Sequence, residues 1–151
     1  MAVAQAPVPL RPHHLLCSLT YRGEGYSAAF ITGYDRMIET LAAGAPIRIV
    51  EGPDVICAPR LGEPDCHCHE ARIAWRDRQA AADLAPCLGQ ALPPGTELPG
   101  IVDYLPALRA AFAEGTLRKA CSGCAWHDLC DQVALAGFAG TRLLPPVPSI
   151  P

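Results

Sequence analysis

The sequence predicts a single, mainly α-helical domain with a minor β element, in which a cysteine-ligated metal centre pins irregular loops. Three observations carry this prediction. The 151 residues suffice for one modest core but not for two. Apolar residues recur at helical spacing in several segments, and the chain contains eight cysteines. We expect a flexible lead-in over residues 1–10, one domain over 11–143 and a proline-rich tail over 144–151.

The first half of the chain favours two helices and a strand. Pro12 suits the first turn of a helix that begins near Arg11. Ser27 is the expected N-cap of a second helix to about Ala43, with Gly44 ending it. The apolar stripe of this second helix is Phe30, Tyr34, Ile38 and Leu41. Residues 47–50 alternate like a short strand.

The second half is interrupted by loops. Residues 57–68 carry two prolines, a glycine and three cysteines, so regular structure is not expected there. Residues 70–84 favour a helix, and Pro86 and the prolines after it are expected to break the segment that follows. Asp103 is the expected cap of a helix to about Glu114 that buries Leu105, Leu108 and Phe112. A last short helix is predicted to about Ala136.

Charge and composition exclude several classes of function. Twelve basic residues against fifteen acidic ones give a net charge of −3, which argues against a protein held to nucleic acid by phosphate contacts. No stretch approaches the roughly 18 apolar residues that a membrane span needs, and the first ten residues have no secretory pattern. A cytoplasmic location is therefore expected, where clustered cysteines more often bind metal than form disulfides.

The strongest motif is a C-x2-C-x5-C segment near the C-terminus, formed by Cys121, Cys124 and Cys130. Two thiolates separated by two residues can face one metal centre, and a third cysteine in the next helix can join them. Thiolates favour zinc, copper(I) or iron–sulfur clusters. Since three cysteines do not complete a four-coordinate site, a fourth ligand is expected from elsewhere. The candidates are Cys57, Cys68, Cys66 and Cys17.

Two further groups of cysteine and histidine carry more than one interpretation. His13 and Cys17 share one helix face, where they could ligate a metal, or His13 could activate the thiol as a nucleophile; a structural role is the third alternative. The segment Cys66-His-Cys-His69 offers zinc or copper ligands, although alternating side chains rarely meet at one ion. Cys87, beside a proline, is expected to be a small core residue.

Three blocks of the sequence resemble one known family. They are Arg11-Pro-His-His-Leu-Leu-Cys17 with Gly23-Glu-Gly-Tyr-Ser27, Gly52-Pro-Asp-Val-Ile-Cys57, and Cys121-Ser-Gly-Cys-Ala-Trp-His-Asp-Leu-Cys130. They resemble domain-of-unknown-function family 1284, small bacterial and archaeal proteins described as iron–sulfur binding, over about residues 10–143. The resemblance implies that the family's cysteines fall on Cys17, Cys57, Cys121, Cys124 and Cys130. Arg60 and Ala125 stand where many members have Cys and Glu.

These patterns together predict an iron–sulfur protein, with a 4Fe–4S cluster bound by Cys57, Cys121, Cys124 and Cys130. Cys68, Cys17 and His13 are the reserve ligands. Its role would be electron transfer, redox sensing or structural support, with a redox or pathway protein as partner and no independent catalysis. One alternative is a zinc-stapled interaction module without redox function, since zinc takes the same thiolates. A third is an enzyme that uses Cys17 as its nucleophile.

Overall fold

A computed structural model describes residues 6–24, 27–52, 54, 71–122, 124 and 126–143. Within these residues the chain forms five α-helices and a small three-stranded sheet, which confirms the predicted fold class. The elements, in chain order, are β1 (Val8–Leu10), α1 (Pro12–Thr20), α2 (Ala28–Ala42), β2 (Ile47–Ile49), α3 (Ala71–Leu88), β3 (Glu97–Leu98), α4 (Leu105–Glu114) and α5 (His127–Leu135). None of the helices in these ranges has the length and apolar character needed to cross a bilayer.

The sheet has the order β1-β2-β3, with β1 parallel and β3 antiparallel to β2. α1 and α2 make the connection that parallel strands require. Leu10 pairs with Ile49 and is completely buried. The prediction of a flexible lead-in over 1–10 is therefore wrong for residues 8–10, because apolar side chains on both sides of Pro9 enter the core and the backbone extends the sheet.

The first two helices begin where their sequences predict, and the second also ends close to its predicted end. Pro12 opens α1, where its missing N–H costs no hydrogen bond. Ser27 caps α2, and its side chain accepts a hydrogen bond of 3.1 Å from the backbone N–H of Phe30. All four residues of the predicted apolar stripe of α2 are buried. Gly44, with φ of 93°, follows the end of the helix.

The third helix continues beyond the predicted break. α3 includes Pro86 and ends at Leu88. A proline in the last turn removes one backbone hydrogen bond but does not end the helix. The helix buries Ala80, Leu84 and Leu88. Cys87 is half-buried and packs against the core, as predicted.

The extent of α4 agrees with the prediction, but its N-terminal cap does not. Asp103 lies in a 3-10 turn over Val102–Tyr104, and no side chain caps α4. The predicted inward residues Leu105, Leu108 and Phe112 are all buried. α5 ends at Leu135, close to the predicted Ala136.

α1 lies at the centre of the domain, where it packs against α3, α4 and α5. Its residues Leu15, Leu16 and Leu19 are at most 2% exposed. Because the core fixes this helix from several sides, the polar side chains on its remaining surface meet elements distant in sequence. These side chains include His13, His14 and Cys17.

Candidate metal centre

The cysteines of the C-terminal motif lie on a compact segment that begins at a 3-10 turn over Lys119–Cys121 and continues into α5. The N–H of Cys124 donates to the carbonyl of Cys121 at 3.0 Å, which closes a turn between the two thiols. The N–H of Cys130 donates to the carbonyl of Trp126 at 2.9 Å and so holds Cys130 in the first turns of α5. All three thiols are free and half-buried.

Cys17 of α1 joins these three thiols. Burial raises the pKa of the Cys17 thiol well above its ordinary value, and three neighbouring sulfur atoms raise it further. These sulfur atoms belong to Cys124, Cys130 and Cys121. Like charges act on a pKa in this way only over short distances. Cys17 therefore lies in the same region as these three thiols, and Thr20 at the end of α1 contacts Cys130 directly; we call the four cysteines the four-thiol group.

Two arginines place positive charge beside the four-thiol group. Arg76 of α3 is 5% exposed and donates to the carbonyl of Ala120 at 3.0 Å, next to Cys121. Its charge works against burial and lowers the pKa of both Cys17 and Cys121. Since burying a cation is costly unless a negative partner is close, Arg76 is better matched to thiolates than to neutral thiols.

Arg118 supplies the second positive charge. Its guanidinium donates to Asp131 at 2.6 Å. Burial works to lower the pKa of Arg118, but hydrogen bonds to Cys121 and Asp131 outweigh it and raise the pKa. The Nε atoms of Arg76 and Arg118 are both buried and have no hydrogen-bond partner among the described residues. Each of the two guanidinium groups thus has one buried donor that is still unused among the described residues.

Two hydroxyl groups approach the same sulfur atoms. Thr20 Oγ1 lies 3.2 Å from Cys130 Sγ, which links α1 directly to α5. The Tyr34 hydroxyl is buried and unpaired in the described part of the chain, with Ser18 close by but outside hydrogen-bond geometry. Burial, followed by the nearby Cys17, raises the pKa of Tyr34 well above its ordinary value. Both hydroxyl groups can donate a hydrogen bond to a sulfur atom.

His13 and His14 face carboxylates and not the thiols. His13 Nδ1 lies 2.6 Å from Asp77 of α3, and His14 Nδ1 lies 2.7 Å from Asp54, which follows β2. Neither histidine is among the charged neighbours that act on Cys17. The activated-nucleophile interpretation of Cys17 requires a lowered thiol pKa, whereas burial raises it.

A third polar group, formed by His127, Asp128 and Asp131, lies on the outer face of α5. Its ligand atoms are within 4.8 Å of one another. The His127 side chain is 41% exposed, and that of Asp128 is completely exposed. Groups of this kind at the surface are ordinary ion pairs.

The fold and these thiols define a class of small helical domains in which an N-terminal helix meets a C-terminal C-x2-C-x5-C segment. The chain belongs to the family described as protein of unknown function DUF1284, whose model matches residues 25–130. The match includes Cys121, Cys124 and Cys130 but begins after Cys17, so it is narrower than the resemblance over 10–143. No curated protein and no solved structure matches the chain.

Some predicted ligands lie near one another in the structure, and others lie outside the described residues. The structure brings Cys121, Cys124 and Cys130 together with the reserve ligand Cys17. Cys57, Cys66 and Cys68, along with the whole predicted loop 57–68 and the tail 144–151, lie outside the described residues. Sequence analysis missed the two arginines and Thr20, because nothing in the sequence distinguishes an arginine beside a thiol from one in solvent.

Proposed function

We propose that the protein binds an iron–sulfur cluster, of the 4Fe–4S type, through Cys17, Cys121, Cys124 and Cys130. The observation that carries this proposal is the approach of Cys17 to the three thiols of the C-terminal motif. Four cysteine thiolates form the usual ligand set of such a cluster. The cluster would serve electron transfer or redox sensing, and it would also hold α1 against α5.

The charges around the four-thiol group support a cluster of this kind. A 4Fe–4S core with four thiolates carries net negative charge, which the nearby Arg76 and Arg118 would partly offset. Thr20, Tyr34 and the two unused Nε atoms supply donors that cluster sulfur can accept. Charge and hydrogen bonds to the sulfurs are the features by which a protein sets a cluster's reduction potential.

A zinc ion would require a closer set of sulfur atoms than a 4Fe–4S cluster would. Zinc–sulfur bonds of about 2.3 Å in a tetrahedron bring the ligating sulfurs to about 3.8 Å from one another. No three of the described thiols have sulfur atoms within 4.8 Å of one another. A cluster of four irons is larger than a single ion and holds its thiolates further apart.

The proposal is tested by metal analysis of protein purified without oxygen. We expect a brown protein whose broad visible absorbance bleaches with dithionite, with iron and acid-labile sulfide in equal amounts of about four per chain. The variant Cys17→Ser should lose most of both. The variant Cys87→Ser is the matched control, because this half-buried α3 thiol is not among the neighbours that act on Cys17, and it should retain both.

Several outcomes would contradict the proposal. A colourless protein with one zinc per chain would favour the zinc-stapled module. Full iron and sulfide in Cys17→Ser, together with loss in Cys57→Ser, would return Cys57 to the ligand set in place of Cys17. Absence of iron and zinc after reconstitution would exclude a metal centre altogether.

Thr20 offers a prediction about the cluster's reduction potential. Its hydroxyl has one proton, which can go to the carbonyl of Cys17 at 3.3 Å or to Cys130 Sγ at 3.2 Å. A metal-bound thiolate has no proton to give, so the hydroxyl becomes the donor to sulfur. Such a bond stabilises the more negative, reduced cluster. The isosteric variant Thr20→Val should therefore have a lower midpoint potential in a redox titration followed by electron paramagnetic resonance.

The control for this titration is Thr40→Val. The Thr40 hydroxyl is exposed and donates to the carbonyl of Arg36 within α2, so the potential should not change. An unchanged potential in Thr20→Val would show that the hydroxyl does not interact with the cluster.

A further inference from the structure

Two adjacent histidines at the start of α1 each contact a separate carboxylate, of which Asp54 is buried and Asp77 is partly buried. The ring centres of His13 and His14 lie 4.3 Å apart, and the ring planes are tilted by 54°. From this geometry we infer that His13 and His14 bind a divalent transition-metal ion through their Nε2 atoms, at a site distinct from the four-thiol group. The inference does not depend on the iron–sulfur proposal, because it uses different residues.

The hydrogen bonds determine which nitrogen of each ring is available. An ionised carboxylate can only accept, so each Nδ1 must carry the proton that it shares with Asp77 or Asp54. In the neutral ring this leaves a lone pair on Nε2. Neither Nε2 has a hydrogen bond within the described residues.

Metal-binding histidines characteristically donate their second ring nitrogen to a carboxylate, which fixes the tautomer and the orientation of the ring. Here both rings make this bond, and the carboxylates are themselves held in place. Asp77 accepts from Arg11 Nε at 2.8 Å and from the backbone N–H of His13 at 3.2 Å. Asp54 accepts from the backbone N–H of Arg11 at 2.8 Å. The two imidazoles are thus oriented by a rigid outer layer.

Capping of α1 does not account for this arrangement. The two carboxylates already accept from backbone N–H groups at the N-terminus of the helix, which satisfies the donors there. A cap of this kind requires no histidine. The contacts of the two imidazole rings come in addition to these backbone hydrogen bonds. In both rings Nδ1 contacts the carboxylate and Nε2 does not.

Distance, charge and access all suit a divalent ion. An ion bound at about 2.0–2.1 Å by two imidazoles needs nitrogens roughly 3–4 Å apart, which is compatible with the 4.3 Å between the ring centres. Asp54, Asp77 and Arg11 together carry one net negative charge. The histidine side chains are 14% and 12% exposed, so water or a substrate can fill the remaining coordination positions. Imidazole ligands favour zinc, iron, nickel and cobalt over magnesium or calcium.

Cobalt(II) titration of the full chain, purified without oxygen, tests this inference. Cobalt bound to thiolate gives intense ultraviolet charge-transfer bands, whereas cobalt bound to nitrogen and oxygen gives only weak visible bands. In the wild type we expect one cobalt site with nitrogen and oxygen ligands, which gives only the weak visible bands. It should be lost in His13→Gln and His14→Gln. In Asp77→Asn it should bind about 10–100-fold more weakly, because the outer-layer carboxylate is missing.

His127→Gln is the matched control, since this histidine belongs to the other group of potential ligands on the described chain. The control variant should keep the site. Loss of the site in His127→Gln, or a wild type whose cobalt is bound only by thiolate, would overturn the inference.

A measurement on the wild type covers the case in which the histidine variants fail to fold. Long-range ¹H–¹⁵N spectra should show His13 and His14 as Nδ1–H tautomers, and added zinc should shift their Nε2 signals first. Zinc that leaves both Nε2 signals unchanged would overturn the inference without any variant.

Discussion

Replacing Asp77 by alanine should destabilise the protein by about 3–5 kcal/mol, the range found when one partner of a buried ion pair is removed. Asp77 of α3 accepts hydrogen bonds from Arg11 Nε, from the His13 backbone and from the His13 ring. The Arg11 side chain is only 2% exposed. Removing Asp77 would therefore take one carboxylate partner from a guanidinium that has little access to water.

Urea unfolding followed by circular dichroism, with a chelator present for every variant, measures this effect. Glu39→Ala is the control, because Glu39 is an exposed residue of α2 and its loss should change the free energy of unfolding by less than about 0.5 kcal/mol. A loss below about 1 kcal/mol for Asp77→Ala would mean that the contact between α1 and α3 is maintained mainly by apolar packing.

Asp77 also illustrates what the sequence could not predict. It stands among charged residues, in Arg76-Asp77-Arg78, where a helix normally faces solvent. The structure instead turns Arg76 towards the thiols and Asp77 towards α1. Asp54 presents the same difficulty, since a carboxylate in a turn is ordinarily solvated and this one is buried. Such pairings depend on how helices pack, which local sequence does not encode.

Helices were predictable because their signals are local. The cap at Ser27, the spacing of Phe30 and Tyr34, and the left-handed glycine after the helix all lie within one segment. Strands β1 and β3 were not predicted, because a proline stands inside β1 and β3 has only two residues, and both form by pairing with β2. The amino-acid sequence of residues 8–10 does not by itself predict a strand.

In the candidate site, too, the residues close in sequence were predictable and the distant one was not. Cys121, Cys124 and Cys130 are close in sequence, and their spacing alone predicted that they would act together. The sequence supplied several candidates for the fourth ligand and no means of choosing between them. Cys17 is a hundred residues away, and only the packing of α1 against α5 brings it to the others.

The stability of the metal-free protein should fall by about 3 kcal/mol as the pH is lowered from 7 to 4. Burial, and then the charge of His14, lower the pKa of His13 to about 4 from 6.5, although Asp77 works in the opposite direction. Between these two values the unfolded chain binds a proton that the folded chain does not. Stability therefore rises with pH through this window, and the difference of about 2.5 pKa units corresponds to about 3 kcal/mol.

Asp77 extends the same trend to lower pH. Burial would raise the pKa of its carboxyl group, but the hydrogen bond and charge of His13 and the charge of Arg11 outweigh this and lower it below 3.8. A group with a lowered acidic pKa stabilises the fold above its unfolded value, and this contribution is lost as the pH falls further. The two groups thus act in sequence, His13 above pH 4 and Asp77 below it.

Urea unfolding at a series of pH values in chelator separates the contribution of His13 from general acid effects. His13→Gln cannot titrate and should remove most of the slope between pH 6.5 and 4. His127→Gln removes an exposed histidine and should leave the slope in place. Equal slopes in the wild type and in His13→Gln would show that His13 does not remain neutral in the folded protein. That result would also remove the support that a neutral ring gives to metal binding at Nε2.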